Sequence, residues 1–168
     1  KSRGEFNYPI FWASLFTKAR KREFNTTEEE LAIVSAKNHK QAMDNPKAYS
    51  HKPYTISEIM CSKNVTDDLK VLDCSYPCSG SSAVLLASED FAKRFTDQPV
   101  WISGIGQKTN SASFTKNELT TLTSSVIAAN NAYSMSKTTS QQIDVAEIHD
   151  AFSVCELMAV EDLHLTEK

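Results

Sequence analysis

Two adjacent residues, His149 and Asp150, have the types and the setting to do chemistry. They follow Ile143 to Ile148 (IDVAEI), which reads as a strand, and precede a helical pattern that starts at Ala151. In open α/β sheets, ligands collect beyond the carboxyl ends of strands. A helix that starts there presents free backbone N–H groups and a partial positive charge. An imidazole at such a corner can donate to a carbonyl oxygen, or hold a water that does, and so stabilise an oxyanion in acyl transfer. The plainer alternatives are an ordinary polar residue at a strand end for His149 and a helix N-cap for Asp150.

A second position is the loop Cys74 to Gly80 (CSYPCSG). Its small side chains let a ligand approach the backbone, and Ser75 offers a hydroxyl; the alternative is a tight connection into a buried strand. Gly104-Ile105-Gly106 follows another strand pattern, but position 109 is Thr and polar coil comes next, so a dinucleotide loop is rejected. These glycines are expected to relieve crowding or bend the strand. Cys74 and Cys78 make a CxxxC pair without two further ligands at tight spacing, so no metal site is assigned. Cys61, Cys74, Cys78 and Cys155 read as reduced, buried, structural thiols, which points by default to a reducing compartment, the cytoplasm. His39 falls on a solvated helix face, His51 in a loop and His164 near the chain end. Lys18 to Arg22 (KARKR) reads as an exposed basic helix end, or as a contact for a phosphate-bearing ligand.

The elements that must position these residues alternate. Helices are predicted over 8–24, with Pro9 in the first turn, and over 28–43, opened by a Thr–Glu capping box. The stripe of the second is Leu31, Val34 or Ser35, and Asn38 or Ala42, so it is half buried. A loop over 44–54 precedes a short helix from Ser57 to Cys61. Strands are predicted over 83–87, 99–106 and 143–148, and helices over 89–95, 118–136 and 151–163, with loops over 107–117 and 137–142. Strand–helix alternation of this kind is an α/β pattern.

The chain has 168 residues with 40% apolar and 23% charged side chains, enough for one globular domain with a real core and unlike a disordered tail. A formal charge of −3 argues against a protein built mainly to coat nucleic acid or an anionic membrane. No apolar run approaches the ~20 residues of a bilayer span. Lys1 to Gly4 reads as an interior cut or a processed end, not as a targeting signal.

The run 144–152 (DVAEIHDAF), continued by ELMAVEDL at 156–163, resembles the thiolase superfamily. It is most similar to the branch of sterol-carrier-protein-x thiolases and archaeal acetyl-CoA acetyltransferases, where HDAF replaces the NEAF of ordinary thiolases. Lys37-Asn38-His39-Lys40 with Asn45-Pro46, Leu72-Asp73-Cys74-Ser75 with Ser79-Gly80, and Ser103 to Gln107 fit the same branch in the same order. The resemblance implies a thiolase fold, two similar halves stacked into αβαβα layers. Residues 1–70 would close the helical loop domain that cradles coenzyme A, 71–96 would end the first half, and 97–168 would open the second. It implies Claisen condensation or thiolysis of an acyl-CoA, such as acetyl-CoA or acetoacetyl-CoA, with the thioester as substrate and neither metal nor resident cofactor. His149 would take the oxyanion-hole place of the NEAF asparagine. Ser75 would contact the pantetheine amide, and Ala151 and Phe152 would line its tunnel. The nucleophilic cysteine would lie upstream of Lys1, and the GHP histidine and CxG cysteine downstream of Lys168, so this chain alone would not turn over. Ser79 and Asn110 stand where the family often has aspartates. The remaining thiolase segments, further copies of the chain, hydroxymethylglutaryl-CoA synthase and a zinc-ribbon OB-fold protein are the partners implied. Two other readings stay open: a retro-aldolase of the same superfamily, whose members tend to place Tyr where His149 stands, and a non-catalytic acyl-CoA-binding scaffold.

Overall fold

In a computed structural model, residues 9–111 and 116–166 are described. Lys1 to Gly4, the first residue of the predicted 8–24 helix and the middle of the 107–117 loop lie outside them. The helices are α1 (Pro9–Phe24), α2 (Glu28–Ala42), α3 (Ile56–Met60), α4 (Glu89–Ala92), α5 (Thr123–Ser136) and α6 (Ser153–Asp162), with 3-10 turns at Val71–Asp73 and Ser140–Gln142.

The start of α2 is fixed by Thr27, whose hydroxyl accepts from Glu30 N at 3.1 Å while the Glu30 carboxylate accepts from Thr27 N at 2.7 Å. The same device, Thr55 with Glu58, starts α3. α2 lies at the centre. Leu31 joins Ala13 of α1, Leu69, and Val154 and Met158 of α6 in one core cluster. Ala32, one residue on, packs with Ile59 of α3 and Leu72 in a second. The two clusters thus use adjoining sides of one helix.

The expected α/β layering does not form among the described residues, which hold isolated bridges (Asn64 with Lys70, Cys74 with Phe152) and no strand. The three predicted strands run exposed: Leu85 is 89% accessible, Val100 96% and Val145 79%. A strand is completed by the backbone of its neighbours, and among the described residues none of these segments pairs with another. Their apolar composition would suit a sheet covered on both faces.

Helix boundaries also differ from expectation. α5 starts at Thr123 and not near 118, because Asp162 captures Leu122 N at 2.7 Å and holds the preceding residues out of the helix. α6 starts at Ser153, because Ala151 and Phe152 are extended against residues 74–75. α4 ends at Ala92, and the residues after it continue as turns, with Phe95 N donating to Ala92 O at 3.0 Å. The basic end of α1 is not wholly exposed either. Arg20 is 4% accessible and makes a bidentate pair with Glu161 of α6, at 2.6 and 2.7 Å, because α1 and α6 pack face to face. Gly104 and Gly106 do relieve crowding: a Cβ on either would overlap the backbone carbonyl of Ala132 or Ala128 in α5.

Candidate functional site

The site is built where α2, the 72–76 segment and the 149–153 corner meet. Cys74 and Phe152 form a bridge, and Ser75 N donates to Ala151 O at 2.9 Å. The loop and the corner that separately suggested chemistry are therefore joined backbone to backbone. α2 reaches the same corner through Asn38, whose amide Nδ2 donates to Asp150 Oδ2 at 2.5 Å and to Glu156 Oε2 at 2.8 Å. Lys37 Nζ sits 2.9 Å from Glu156 Oε1 and donates to Asn38 Oδ1. Ser153 Oγ donates to Asp73 Oδ1 at 3.2 Å, and Lys70 N donates to the other Asp73 oxygen at 2.9 Å.

Between these elements lies an open cavity of about 370 Å³. Asn38 and His39 of α2, Tyr49, Asp73 to Tyr76, Asp150 and Ser153 are among its lining residues. The His39 ring stands edge-on to Tyr54, with centroids 4.8 Å apart, and Tyr49 lies 5.5 Å from Tyr76. The wall thus combines aromatic faces with carboxylate acceptors and hydroxyls. Such a mixture suits a ligand carrying amide or hydroxyl donors beside an apolar stem.

Burial sets the electrostatics. It lowers the His39 imidazole below its ordinary value, opposed by a hydrogen bond at the Lys52 backbone. It raises the Asp73 carboxyl, opposed by hydrogen bonds from Lys70 N and Ser153. It pushes the Cys74 thiol up to about 11, with the Asp73 charge adding to the shift, and raises Cys155 as well. A thiol at 11 stays protonated near neutrality and is a poor nucleophile. Tyr76 is raised, first by its hydrogen bond with Tyr54 and then by burial.

The structure brings some expected site residues together and leaves others apart. Ser75 lines the cavity and holds Ala151. Phe152 packs against the Ala13–Leu31–Met158 cluster. His149 is exposed, one residue beyond the cavity wall that Asp150 helps to form. Asp150 does not cap α6, whose N-cap is Phe152; its carboxylate is engaged by Asn38 instead. His39 is not on a solvated face but in the cavity wall, because the Tyr54 and Tyr76 rings fold over that side of α2. Of the four thiols, Cys74 and Cys155 are partly buried, whereas Cys61, the C-cap of the short α3, and Cys78, in the exposed 77–88 run, are exposed. From sequence alone Asn38 has no assigned role; the signal that could have found it is a polar side chain on a half-buried stripe, which must find partners.

Residues 106–168 match the family described as thiolase C-terminal domain-like. The acetyl-CoA acetyltransferase of Methanothermobacter thermautotrophicus is 38% identical over 163 residues, covering 95% of this chain and 43% of that protein. The family match and the named relative are both of the thiolase superfamily. Sterol carrier protein 2 of Homo sapiens is 32% identical to this chain over 154 residues, covering 88% of it and 28% of that protein. Among solved structures, the Ltp2-ChsH2(DUF35) aldolase superposes with a TM-score of 0.86 at 24% identity, over 97% of this chain and 44% of that one. That likeness is one of fold. The chain spans less than half the length of the curated relatives named here. Among the described residues, no helix is long and apolar enough to cross a membrane.

Proposed function

We propose that this chain is part of an acyl-CoA C-acyltransferase, a thiolase that cleaves or condenses acyl-CoA thioesters such as acetoacetyl-CoA. The observation that carries the reading is the junction of Ser75 N with Ala151 O, which joins the two segments that the resemblance assigns to the thioester site. The 38% identity to an acetyl-CoA acetyltransferase, running along almost the whole chain, supports it.

In thiolysis, a cysteine thiolate from another part of the protein bonds to the ketone carbon of acetoacetyl-CoA. The C2–C3 bond breaks, its electron pair becomes the acetyl-CoA enolate, and a general acid protonates that carbon. Incoming CoA thiolate then takes the acetyl group and frees the cysteine. This chain supplies fixed donors. His149, directly or through a water, faces the thioester oxygen as negative charge builds there. Ser75 meets the pantetheine amide, and Ala151 and Phe152 form the adjoining wall. The thiols at Cys74 and Cys155 are held protonated and take no part.

The same reading gives the exposed apolar segments a role. Segments 83–87, 99–106 and 143–148 join sheets completed by the rest of the thiolase fold, with 1–70 closing the loop domain. The test is acetoacetyl-CoA thiolysis by the whole protein. Turnover that falls about a hundredfold or more in His149→Ala, with the fold intact, is expected. CoA binding without any thiolysis would refute the proposal.

A further inference from the structure

Among the described residues, the hydrogen bonds that hold the 149–153 corner fall at Asp150 and beyond. Upstream, residues 143–147 are exposed. Downstream, the contacts that fix it include Asp150 to Asn38, Ala151 O to Ser75 N, and Ser153 to Asp73. The last two tie the corner to the 72–76 segment. The first ties it to α2, the helix at the centre of the fold, and it attaches at the residue next to His149.

Asn38 is well suited to this role. Its amide has two hydrogens and gives one to each of two carboxylates, Asp150 and Glu156, which separates charges that would otherwise repel. Its carbonyl oxygen accepts from Lys37, which also pairs with Glu156 and sets the amide's orientation. A carboxylate in its place would face two others, and an aliphatic side chain would leave both acceptors unpaired.

We infer that Asn38 is a positioning residue: by clamping Asp150 to α2 it sets the placement of His149, with Lys37 and Glu156 holding the clamp. This rests on the thiolase reading for its kinetic arm but not for its spectroscopic one. A small displacement of a donor from the developing charge costs turnover far more than it costs substrate binding.

The experiment uses the whole protein and a reciprocal swap. Asn38→Asp alone removes both donors. Adding Asp150→Asn reverses the pair, so that the new amide donates to the new carboxylate, and Lys37 remains beside the relocated charge. Asn38→Ala is the milder single variant should Asn38→Asp fail to fold. For each, kcat and KM for acetoacetyl-CoA thiolysis are measured, together with the ring NMR signal of His149, assigned by its loss in His149→Gln. The single variants should lower kcat about tenfold or more, with KM changed less than about threefold, and should shift or broaden the His149 signal. The swap should recover kcat to within about threefold of wild type and restore the signal. Unchanged kcat and signal in the single variants would overturn the inference, and so would a swap that restores folding but neither readout. Loss of folding in both Asn38→Ala and the swap would make Asn38 a purely structural residue and overturn it too. If wild-type protein shows no thiolysis, the proposed function fails, while the His149 signal still decides the role of Asn38.

Discussion

The ion pair between α1 and α6 offers a quantitative test of how this fold is held. Arg20 and Glu161 form two short hydrogen bonds, and their side chains are 5% and 10% accessible. The guanidinium also lies 5.1 Å from the Phe24 ring centroid. Glu161→Ala leaves a cation that cannot lose its proton buried beside an apolar core. Breaking such a pair from one side typically costs about 3–5 kcal/mol. A loss of about 3 kcal/mol speeds amide exchange through local opening by more than about a hundredfold, at roughly tenfold per 1.4 kcal/mol. The internal control is Glu89–Lys93 on α4, whose side chains are 65% and 58% accessible. Glu89→Ala should change exchange no more than about twofold. The assay is native-state hydrogen exchange of the whole protein, read on peptides covering α1 and α6. If Glu161→Ala accelerates those peptides no more than the surface control, the argument from burial is wrong.

Gly106→Ala places a methyl group against the Ala128 carbonyl; it should destabilise by about 1–3 kcal/mol, and an unchanged denaturation midpoint would remove that contact from the account. Alkylation by iodoacetamide at pH 8, mapped by mass spectrometry, should mark the exposed Cys61 and Cys78 well before Cys74 and Cys155, whose thiols are raised by burial; early labelling of Cys74 would contradict this. Because burial lowers the His39 pKa below its ordinary 6.5, the unfolded chain binds the proton more readily than the folded one. Stability should therefore decline as pH falls through 6.5, and His39→Gln should flatten that decline in denaturant titrations; an identical slope in wild type and variant would refute it.

The local elements were legible because their signals are local. Thr27 and Glu30 mark the start of α2 within a few residues, and Pro9 marks that of α1. α3 starts at Ile56, one residue before the expected Ser57, because Thr55 and Glu58 repeat the same capping pattern. The 83–87, 99–106 and 143–148 segments were read as strands from their apolar content, but pairing depends on a neighbour that composition does not reveal. At the site, the His149–Asp150 corner and the Ser75 loop were each recognisable, whereas their junction arises from contacts between residues far apart in sequence. Asp150 shows the difference: its type and position before a helix point to a cap, and the long-range amide of Asn38 takes it instead. His39 was misplaced for the same reason, since the tyrosines that cover it come from later loops.

The central claim is that the corner joining Ser75 to Ala151 receives an acyl-CoA. Hydrogen exchange of the whole protein, with and without saturating acetyl-CoA, tests it most directly. Slowed exchange centred on residues 73–76 and 149–153 is the predicted result. Protection confined to other regions, or none at saturation, would contradict the claim.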